Sequence, residues 1–289
     1  MYGVTIHTLD EVAVFFLQPK SEQSISPQLL LSLANKIQDI TAPLMYVSQL
    51  LAPIVTSANN PKSERYLSIL NQNCYRLIRI MHMLSMFEKS FDLVSPSDSF
   101  EQCDITEVCY KVAAQAGPLA KQLQLQFSFE GGEGPLTVHG KAIHLERMLY
   151  HLISNAMKFT AAGGEIKLQM KVAAQRLYLT VSDTGIGIPD HMLSTIFHRF
   201  EEKGAFTDIS SGVGLGLSFV RHVARLSNGT VALTSKEGKG TRVTITLPLE
   251  KPSDTLHTPT VALESDLSIA LVELSDALPP SSFLPSDLE

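Results

Sequence analysis

The first part of the chain carries apolar residues at the spacing of a helix that buries one stripe. Steps of three and four residues alternate through Leu30, Leu33, Ile37, Ile40, Leu44, Val47, Leu51 and Ile54. After a polar break at residues 57–61 the same steps resume through Leu67, Leu70, Cys74, Leu77, Met81 and Leu84. This alternation is typical of coiled coils and helix bundles. The sequence therefore predicts two antiparallel helices joined by a polar turn.

A hairpin of two such helices cannot bury both apolar stripes by itself. Pairing two hairpins into a four-helix bundle would bury them, so we expect a homodimer. Packing of the hairpin against another part of its own chain is the alternative. Pro43 lies inside the first helix and is expected to kink it. Gln38 and Asp39 are predicted on the outward side of the bundle, just before that bend.

Beyond residue 96 the pattern changes to short alternating stretches mixed with helices. Helices are predicted at residues 105–122, 142–159 and 213–227. Strands are predicted at residues 123–129, 164–171, 176–182, 229–236 and 241–248. Strands in pairs with helices between them favour one mixed, largely antiparallel sheet with helices on a single face. The fold class predicted for the whole chain is α+β.

Three segments of this second part carry candidate chemistry, and the first is the end of the helix at residues 142–159. His151 and Asn155 are four residues apart, so they lie on one face of that helix. An amide oxygen and an imidazole at this spacing could serve a hard cation and its waters. Lys158, nearby, could meet a phosphate. An ordinary polar helix end is the alternative.

The other two segments are rich in glycine. Residues 183–189 directly follow a strand, and their glycines let the backbone approach a ligand closely. The Asp183 carboxylate can accept from an exocyclic amine, although a simple turn is the alternative. Residues 212–217 open a helix whose free N–H groups and positive dipole end favour a phosphate. They match neither the Rossmann nor the Walker pattern.

Composition and charge exclude several classes of function. The net charge is −6 and no run of Lys or Arg occurs, so nucleic acid is not expected as a partner. Three cysteines without Cys-x-x-Cys spacing favour a reduced, cytoplasmic setting over a disulfide framework or a zinc site. The uncharged stretch 41–61 is about long enough to span a bilayer. Its prolines and helical period favour a bundle instead, so neither a transmembrane segment nor a signal peptide is expected.

In their order along residues 27–249, these motifs resemble the histidine-kinase branch of the ATPase superfamily that includes gyrase, heat-shock chaperones and mismatch-repair proteins. The similar segments are residues 151–160 (N box), 183–189 (first glycine box), 196–200 (F box), 212–217 (second glycine box) and 238–241 (start of the closing strand). The resemblance also implies a role in two-component signalling.

The resemblance implies a Bergerat-type α/β sandwich that holds Mg-ATP beneath a lid at residues 188–212. Asn155 would be the Mg²⁺ ligand, Lys158 would contact a phosphate, and Asp183 would hydrogen-bond the adenine amine. The other cofactor-binding positions it implies are Gly185 and Gly187 beside the purine, Gly212, Gly214 and Gly216 around the phosphates, and Thr241 in the closing strand.

The predicted domain organisation follows from these segments. Residues 1–26 are expected to form a strand or hairpin, as the remnant of an input domain. Residues 27–92 would be the two-helix dimerisation domain, and residues 100–249 the ATP-binding catalytic domain. Residues 250–289 are expected to be a partly disordered tail, in which the apolar stretch 267–274 forms a strand or a short docking element.

The main departure from the family lies in the first helix. The family places its phosphoacceptor histidine five residues before the proline, and Gln38 stands there in this chain. A carboxamide nitrogen has its lone pair delocalised into the carbonyl, so Gln38 cannot attack a γ-phosphoryl group. The assisting acid Asp39 is present, and Ala42 stands where phosphatase-competent relatives have Thr or Asn. Neither self-phosphorylation nor the usual phosphatase reaction is expected.

These observations leave more than one function open. They also leave open whether the chain is an enzyme. The first hypothesis is a histidine-kinase-type signalling protein that binds Mg-ATP and phosphorylates a partner chain, as a homodimer or in a heterodimer with a complete kinase. The second is a pseudokinase, which is an ATP-responsive scaffold for a kinase or a response regulator. The third is a slow ATPase with His151 as its base, although hydrolysing relatives carry Glu at that position.

Overall fold

The computed structural model describes residues 4–9, 12–17, 27–58, 60–88, 102–132, 134–192, 215–251 and 268–284. The chain divides into two compact units, a helical unit of residues 24–96 with 263–289 and an α/β unit of residues 1–23 with 97–262. The limits predicted for the domains remain predictions. The C-terminal residues group with the helical hairpin, and not with the segment that precedes them.

The helical unit is built on a hairpin, as the sequence predicts. Helix α1 spans Pro27–Ser57, helix α2 spans Pro61–Glu88, and the two lie against each other. At the turn, Oδ1 of Asn60 accepts from the backbone N–H of Lys62 at 3.1 Å, which caps the start of α2. Helix α1 continues without a break through Pro43, and the kink expected there remains a prediction.

The stripe of α1 that packs inside the hairpin is not the apolar stripe that the sequence singles out. Among the described residues of α1, those that are buried are small: Ala34, Thr41, Ser48 and Ala52. The hydroxyl of Ser48 donates to Oδ1 of Asn71 on α2. Small side chains set a short distance between helix axes, so this stripe forms the close contact between α1 and α2.

The apolar stripe faces outward in the described part of the helical unit. Ile40, Leu44, Val47, Leu51 and Ile54 are between 38% and 66% exposed. A contiguous exposed row of large apolar side chains marks an interaction surface. Residues 32–57 of α1 also have the length and composition of a membrane-spanning helix, which on its own is a weak indication. In the described part of the helical unit the hairpin thus leaves one stripe unburied, and the four-helix bundle of two hairpins remains a prediction.

The α/β unit consists of strands and helices with the following bounds. Its strands are β1 (Val4–Leu9), β2 (Val12–Leu17), β3 (Gln102–Asp104), β4 (Gln126–Glu130), β5 (Thr137–His139), β6 (Glu165–Ala173), β7 (Arg176–Asp183), β8 (Thr230–Lys236) and β9 (Gly240–Glu250). Its helices are α3 (Ile105–Gln122), α4 (Ala142–Phe159) and α5 (Leu215–Leu226). Strands β1 and β2 form an antiparallel pair of their own, within the segment where the sequence predicts a strand or hairpin.

The remaining seven strands form one sheet in the order β3-β5-β9-β7-β6-β4, with β8 paired to β9. Strands β4 and β6 are parallel, and the other described pairs of this sheet are antiparallel. Met170, Leu179 and Ile245 stand side by side on β6, β7 and β9, and each is at most 5% exposed. Helices α4 and α5 pack on the sheet. A mixed, largely antiparallel sheet and the α+β class are therefore confirmed.

Most predicted elements of this unit differ from the observed ones only at their ends, and β4 shows why. The predicted strand 123–129 begins only at Gln126. The backbone N–H of Leu123 still bonds the carbonyl of Ala120 at 3.0 Å, and Gln124 adopts a positive φ of 58°. These residues end α3 instead of starting the strand. Alternating polarity cannot distinguish a helix end from a strand start over so short a stretch.

The C-terminal residues add a short element to the helical unit. Helix α6 spans Ile269–Leu274, and a 3-10 turn follows at Pro280–Phe283. Both lie against α2. The sequence leaves a strand and a docking element open for residues 267–274, and the structure shows a docked helix there.

Candidate functional site

The carboxylate of Asp183, at the end of the central strand β7, connects two segments of backbone. Its Oδ1 accepts from the N–H of Gly185 at 2.9 Å and from the N–H of Thr241 at 3.2 Å. Burial raises the pKa of the Asp183 carboxyl above its ordinary value, although these two hydrogen bonds act in the opposite direction. Among the described residues its Oδ2 has no hydrogen-bond partner. The Asp183 carboxylate is therefore held in one orientation, and its Oδ2 is available as a hydrogen-bond acceptor.

The glycine loop that follows β7 lies directly against other backbone. A Cβ on Gly185 would stand 2.4 Å from the carbonyl oxygen of Phe159, at the end of α4. Gly187 has a φ of +67°, and a Cβ there would stand 2.1 Å from the carbonyl oxygen of Lys236. The N–H of Ile186 donates to the same Phe159 carbonyl at 3.1 Å. The loop is pinned between α4 and the end of β8, so these glycines are required by the fold itself.

The polar face of α4 meets the start of α5. His151 is buried, and its ring lies 4.6 Å from the ring of Phe219 between centroids. Asn155, one turn further along α4, is half-buried. A Cβ on Gly216 would stand 3.6 Å from Nδ1 of His151 and 3.9 Å from Nδ2 of Asn155. The structure thus brings together His151, Asn155 and Gly216, which are far apart in the sequence.

The end of α4 joins this cluster to the loop after β7. Asn155 and Phe159 are one turn apart on α4, and the Phe159 carbonyl is bonded to Ile186 of the loop. Lys158 lies beside them, exposed, with its Nζ 5.4 Å from the centroid of the Phe159 ring. The residues that the sequence predicts on α4, β7, α5 and β9 therefore form one neighbourhood. Their roles toward a nucleotide remain predictions.

Part of the predicted site lies outside the described residues. This holds for Gly212 and Gly214, for the F box at residues 196–200, and for most of the lid predicted at residues 188–212. The described portion of the site therefore consists of its floor on the sheet, α4 and the start of α5.

Sequence reasoning missed two groups that position the site. One is the carbonyl of Phe159, whose role no side chain reveals. The other is Ser235 on β8, whose hydroxyl accepts from the N–H of Ile188 at 2.8 Å and donates to the carbonyl of Gly240 at 2.9 Å. A lone serine in a strand carries no signal of such a role. Only the pairing of β8 with β9 brings it to the loop.

A concavity of about 240 Å³ lies elsewhere, on the other face of the sheet. Its lining residues are Glu165, Lys167, Gln169, Ser182, Thr184 and Arg242. Successive side chains of a strand point to opposite faces, so Ser182 and Asp183 cannot serve the same pocket. The candidate site is therefore the one on the helix-covered face, and this concavity is separate from it.

The described residues suit a magnesium ion that arrives with phosphates better than a metal cage made by the protein. Asn155 offers one amide oxygen. Within the described ranges no group of three or more His, Cys, Asp or Glu side chains is placed to hold a metal. Mg²⁺ keeps several waters and commonly takes only one or two protein ligands beside substrate phosphates.

Comparison with known proteins matches the part of the chain that carries this site. Residues 140–251 match the family described as histidine kinase-, DNA gyrase B-, and HSP90-like ATPase. Histidine kinase P4 of Formosa agariphila is 25% identical over 83% of this chain and 18% of its own length. Histidine protein kinase DivJ of Caulobacter vibrioides is 35% identical over 44% of this chain and 21% of its own length. The chain thus spans about a fifth of the length of these two relatives.

A solved structure shares the fold over most of the chain. Full-length ShkA in complex with AMPPNP aligns with 79% of this chain and 47% of its own chain, at 22% identity and a TM-score of 0.57. At that identity the likeness shows the fold alone, which is a set of helices followed by a mixed α/β sheet domain.

We expect Gly185→Ala to lower the free energy of unfolding by about 1–3 kcal/mol, because the added methyl group meets the Phe159 carbonyl. Gly132→Ala is the matched control, since nothing lies within 4 Å of a Cβ at that position. The control should change stability by no more than about 0.5 kcal/mol. Urea denaturation of both variants measures the difference. Equal effects in the two variants would contradict the close backbone contact.

Proposed function

We propose that this chain, which belongs to the sensor histidine kinase family, binds Mg-ATP in its α/β unit and uses it in cytoplasmic signal transduction. The observation that carries the proposal is the neighbourhood formed around the end of α4. There the Asp183 loop is bonded to α4, and Gly216 adjoins His151 and Asn155. Side chains suited to an amine, a cation and a phosphate converge on this one region.

Each of these groups has a task that its position supports. Asn155 would hold Mg²⁺ through its amide oxygen, and the exposed Lys158 would neutralise a phosphate. Asp183 would accept from the adenine amine through Oδ2, since Oδ1 is already bonded to backbone. The N–H groups at the start of α5, near Gly216, would bind phosphate oxygens. Bound Mg-ATP supplies a transferable γ-phosphoryl group.

The acceptor of that group is proposed to lie on a partner chain. Gln38, at the position corresponding to the family's histidine, is exposed on α1, and so is the neighbouring Asp39. An amide nitrogen there offers no nucleophile, although the acid that would assist one is accessible. Transfer would place the phosphoryl group on an imidazole nitrogen of a complete kinase and leave ADP behind.

A second candidate function, an inert ATP-responsive scaffold, is favoured by Gln38 together with Ala42. Both side chains are exposed on α1. The amide nitrogen of Gln38 is no nucleophile, and the methyl group of Ala42 cannot orient a water. The slow-ATPase hypothesis is weaker. A general base must reach a water, and His151 is buried against Phe219.

The outward stripe of α1 supports a homodimer, or a heterodimer with a complete kinase, as the working assembly. Ile40, Leu44, Val47, Leu51 and Ile54 are exposed along one side of α1. A second hairpin with the same heptad stripe would bury them in a four-helix bundle. A response regulator is a further proposed partner of such a bundle.

Titration calorimetry of Mg-ATP tests the proposed site first. We expect the wild-type chain to bind, and Asn155→Ala to weaken binding by at least about 10-fold, or about 1.4 kcal/mol. In EDTA the two proteins should bind ATP alike, because only the Mg²⁺ contact is lost. Asn73→Ala, an exposed asparagine on α2, is the matched control and should bind as wild type. Absence of wild-type binding, or equal binding by all three proteins in Mg²⁺, would refute the assignment.

Transfer of the γ-phosphate of labelled ATP tests whether the α/β unit can still transfer a phosphoryl group, which the kinase proposal requires and the inert scaffold does not. We expect no label on the wild-type chain alone, and label on Gln38→His, because this substitution restores a nucleophile beside Asp39. Gln49→His places a histidine at another exposed position of α1 and is the control that should stay unlabelled. If Gln38→His binds Mg-ATP but takes no label, the kinase proposal fails and the scaffold is favoured.

Sedimentation analysis tests the stripe on α1. Leu51→Lys should raise the dimer dissociation constant by at least about 10-fold, since a charge would be buried in the bundle. Asn73→Lys adds the same charge at an exposed position of α2 and should leave the dimer intact. A monomeric wild-type chain that binds lipid vesicles, and loses that binding in Leu51→Lys, would assign the stripe to a membrane instead.

A further inference from the structure

A face of α2 is occupied by the C-terminal residues 268–284, and amide side chains of α2 hold their backbone. Nε2 of Gln72 donates to the carbonyls of Ser275 at 3.0 Å and Leu278 at 2.7 Å, both just beyond α6. Nδ2 of Asn71 donates to the carbonyl of Phe283 at 3.0 Å. Carbonyls at and beyond a helix end have no partner inside the helix. Helix α2 therefore supplies the hydrogen-bond donors that these carbonyls do not find within the segment itself.

A cluster of charged side chains fixes the position of this segment on α2. Nη1 of Arg79 lies 2.6 Å from Oδ2 of Asp276, and Nε of Arg76 lies 3.3 Å from Oδ1 of the same carboxylate. Nε of Arg79 and Nδ1 of His82 lie 3.7 and 3.6 Å from the two carboxylate oxygens of Glu273. The side chain of Glu273 is only 1% exposed. A carboxyl group so buried stays ionised only beside a cationic partner, so the charges of α2 favour an acidic segment.

Apolar contacts complete the fit between α2 and the C-terminal segment. Phe283 is fully buried, and its ring meets the ring of Tyr75 edge-on at 5.1 Å between centroids. Leu274 and Leu278 are also buried. An aromatic anchor, buried leucines and flanking ion pairs are the features by which a helix groove binds a peptide.

The segment depends on α2 for its shape. Helix α6 has six residues, and its N-cap residue Ser268 makes no side-chain capping hydrogen bond. A helix of that length does not persist in water by itself. The segment is also tied to the chain, which gives it a high effective concentration at α2 even if its intrinsic affinity is modest.

We propose that this face of α2 is a binding site for a short acidic helical segment, and that residues 268–284 are its built-in, releasable occupant. While seated, the segment keeps other proteins off α2. When it is released, the basic and aromatic groups of α2 become available to a partner segment of the same chemistry. This inference is independent of nucleotide binding by the α/β unit.

Competition with a free peptide tests the proposal in the full chain. The probe is a fluorescent synthetic peptide with the sequence of residues 268–284. Wild type should bind it weakly, because the tethered segment competes. Asp276→Lys, which loosens the tethered segment while leaving α2 unchanged, should bind the peptide at least about 10-fold more tightly. Glu237→Lys makes the same charge change at an exposed position outside the helical unit and should behave as wild type.

Two further measurements keep the test decisive if a variant misfolds. Arg79→Glu should bind the natural peptide poorly, and a peptide with Asp276→Lys should restore binding to that variant. In wild type, hydrogen exchange should show the amides of α6 opening more readily than those in the middle of α2. If α6 and α2 are equally protected, or if Asp276→Lys gains no affinity for the peptide, the segment is a permanent part of the helical unit and the proposal is wrong.

Discussion

The candidate site depends on one carboxylate oxygen, Oδ1 of Asp183. By accepting from the N–H groups of Gly185 and Thr241, it joins the end of β7, the glycine loop and the start of β9 at one point. The loop in turn bonds the end of α4 through Ile186 and Phe159. Groups on the sheet and on α4 are therefore held as one rigid set. Such preorganisation lowers the entropic cost of binding a ligand.

The sequence predicts the parts of this site well and their junctions poorly. Local order along the chain is enough to place Asn155 on a helix and Asp183 at a strand end. The contact of Gly185 with the Phe159 carbonyl depends on sheet order, which no local pattern encodes. Gly187 illustrates the consequence. From the sequence, a glycine is expected at this position because a bound ligand needs the space. In the structure, the carbonyl of Lys236 already leaves no room for a side chain there.

Helix α1 shows a different limit of sequence reasoning. Its apolar stripe and its stripe of small residues share the heptad period, so the period alone cannot say which one faces α2. Ala34, Thr41 and Ser48 pack inside the hairpin, while larger residues such as Leu44 remain outside. The size of the side chains resolves the ambiguity, because the two helices of a hairpin can approach each other closely only along small side chains. The large residues then remain exposed on the outer side of α1.

The helical unit has three contact surfaces, namely the inner stripe of α1, the outer stripe of α1 and the covered face of α2. They differ in side-chain size and charge, and this difference restricts what each can bind. The inner stripe of α1 is closed by α2 within the hairpin. The outer stripe of α1 is apolar and repeats by sevens, which suits another long helix rather than a short peptide. The covered face of α2 has buried charge around Arg79 and an aromatic contact at Tyr75, which suits a short segment of defined sequence. The proposed dimer and the proposed partner of α2 would thus occupy separate faces of the same hairpin without competing for one surface.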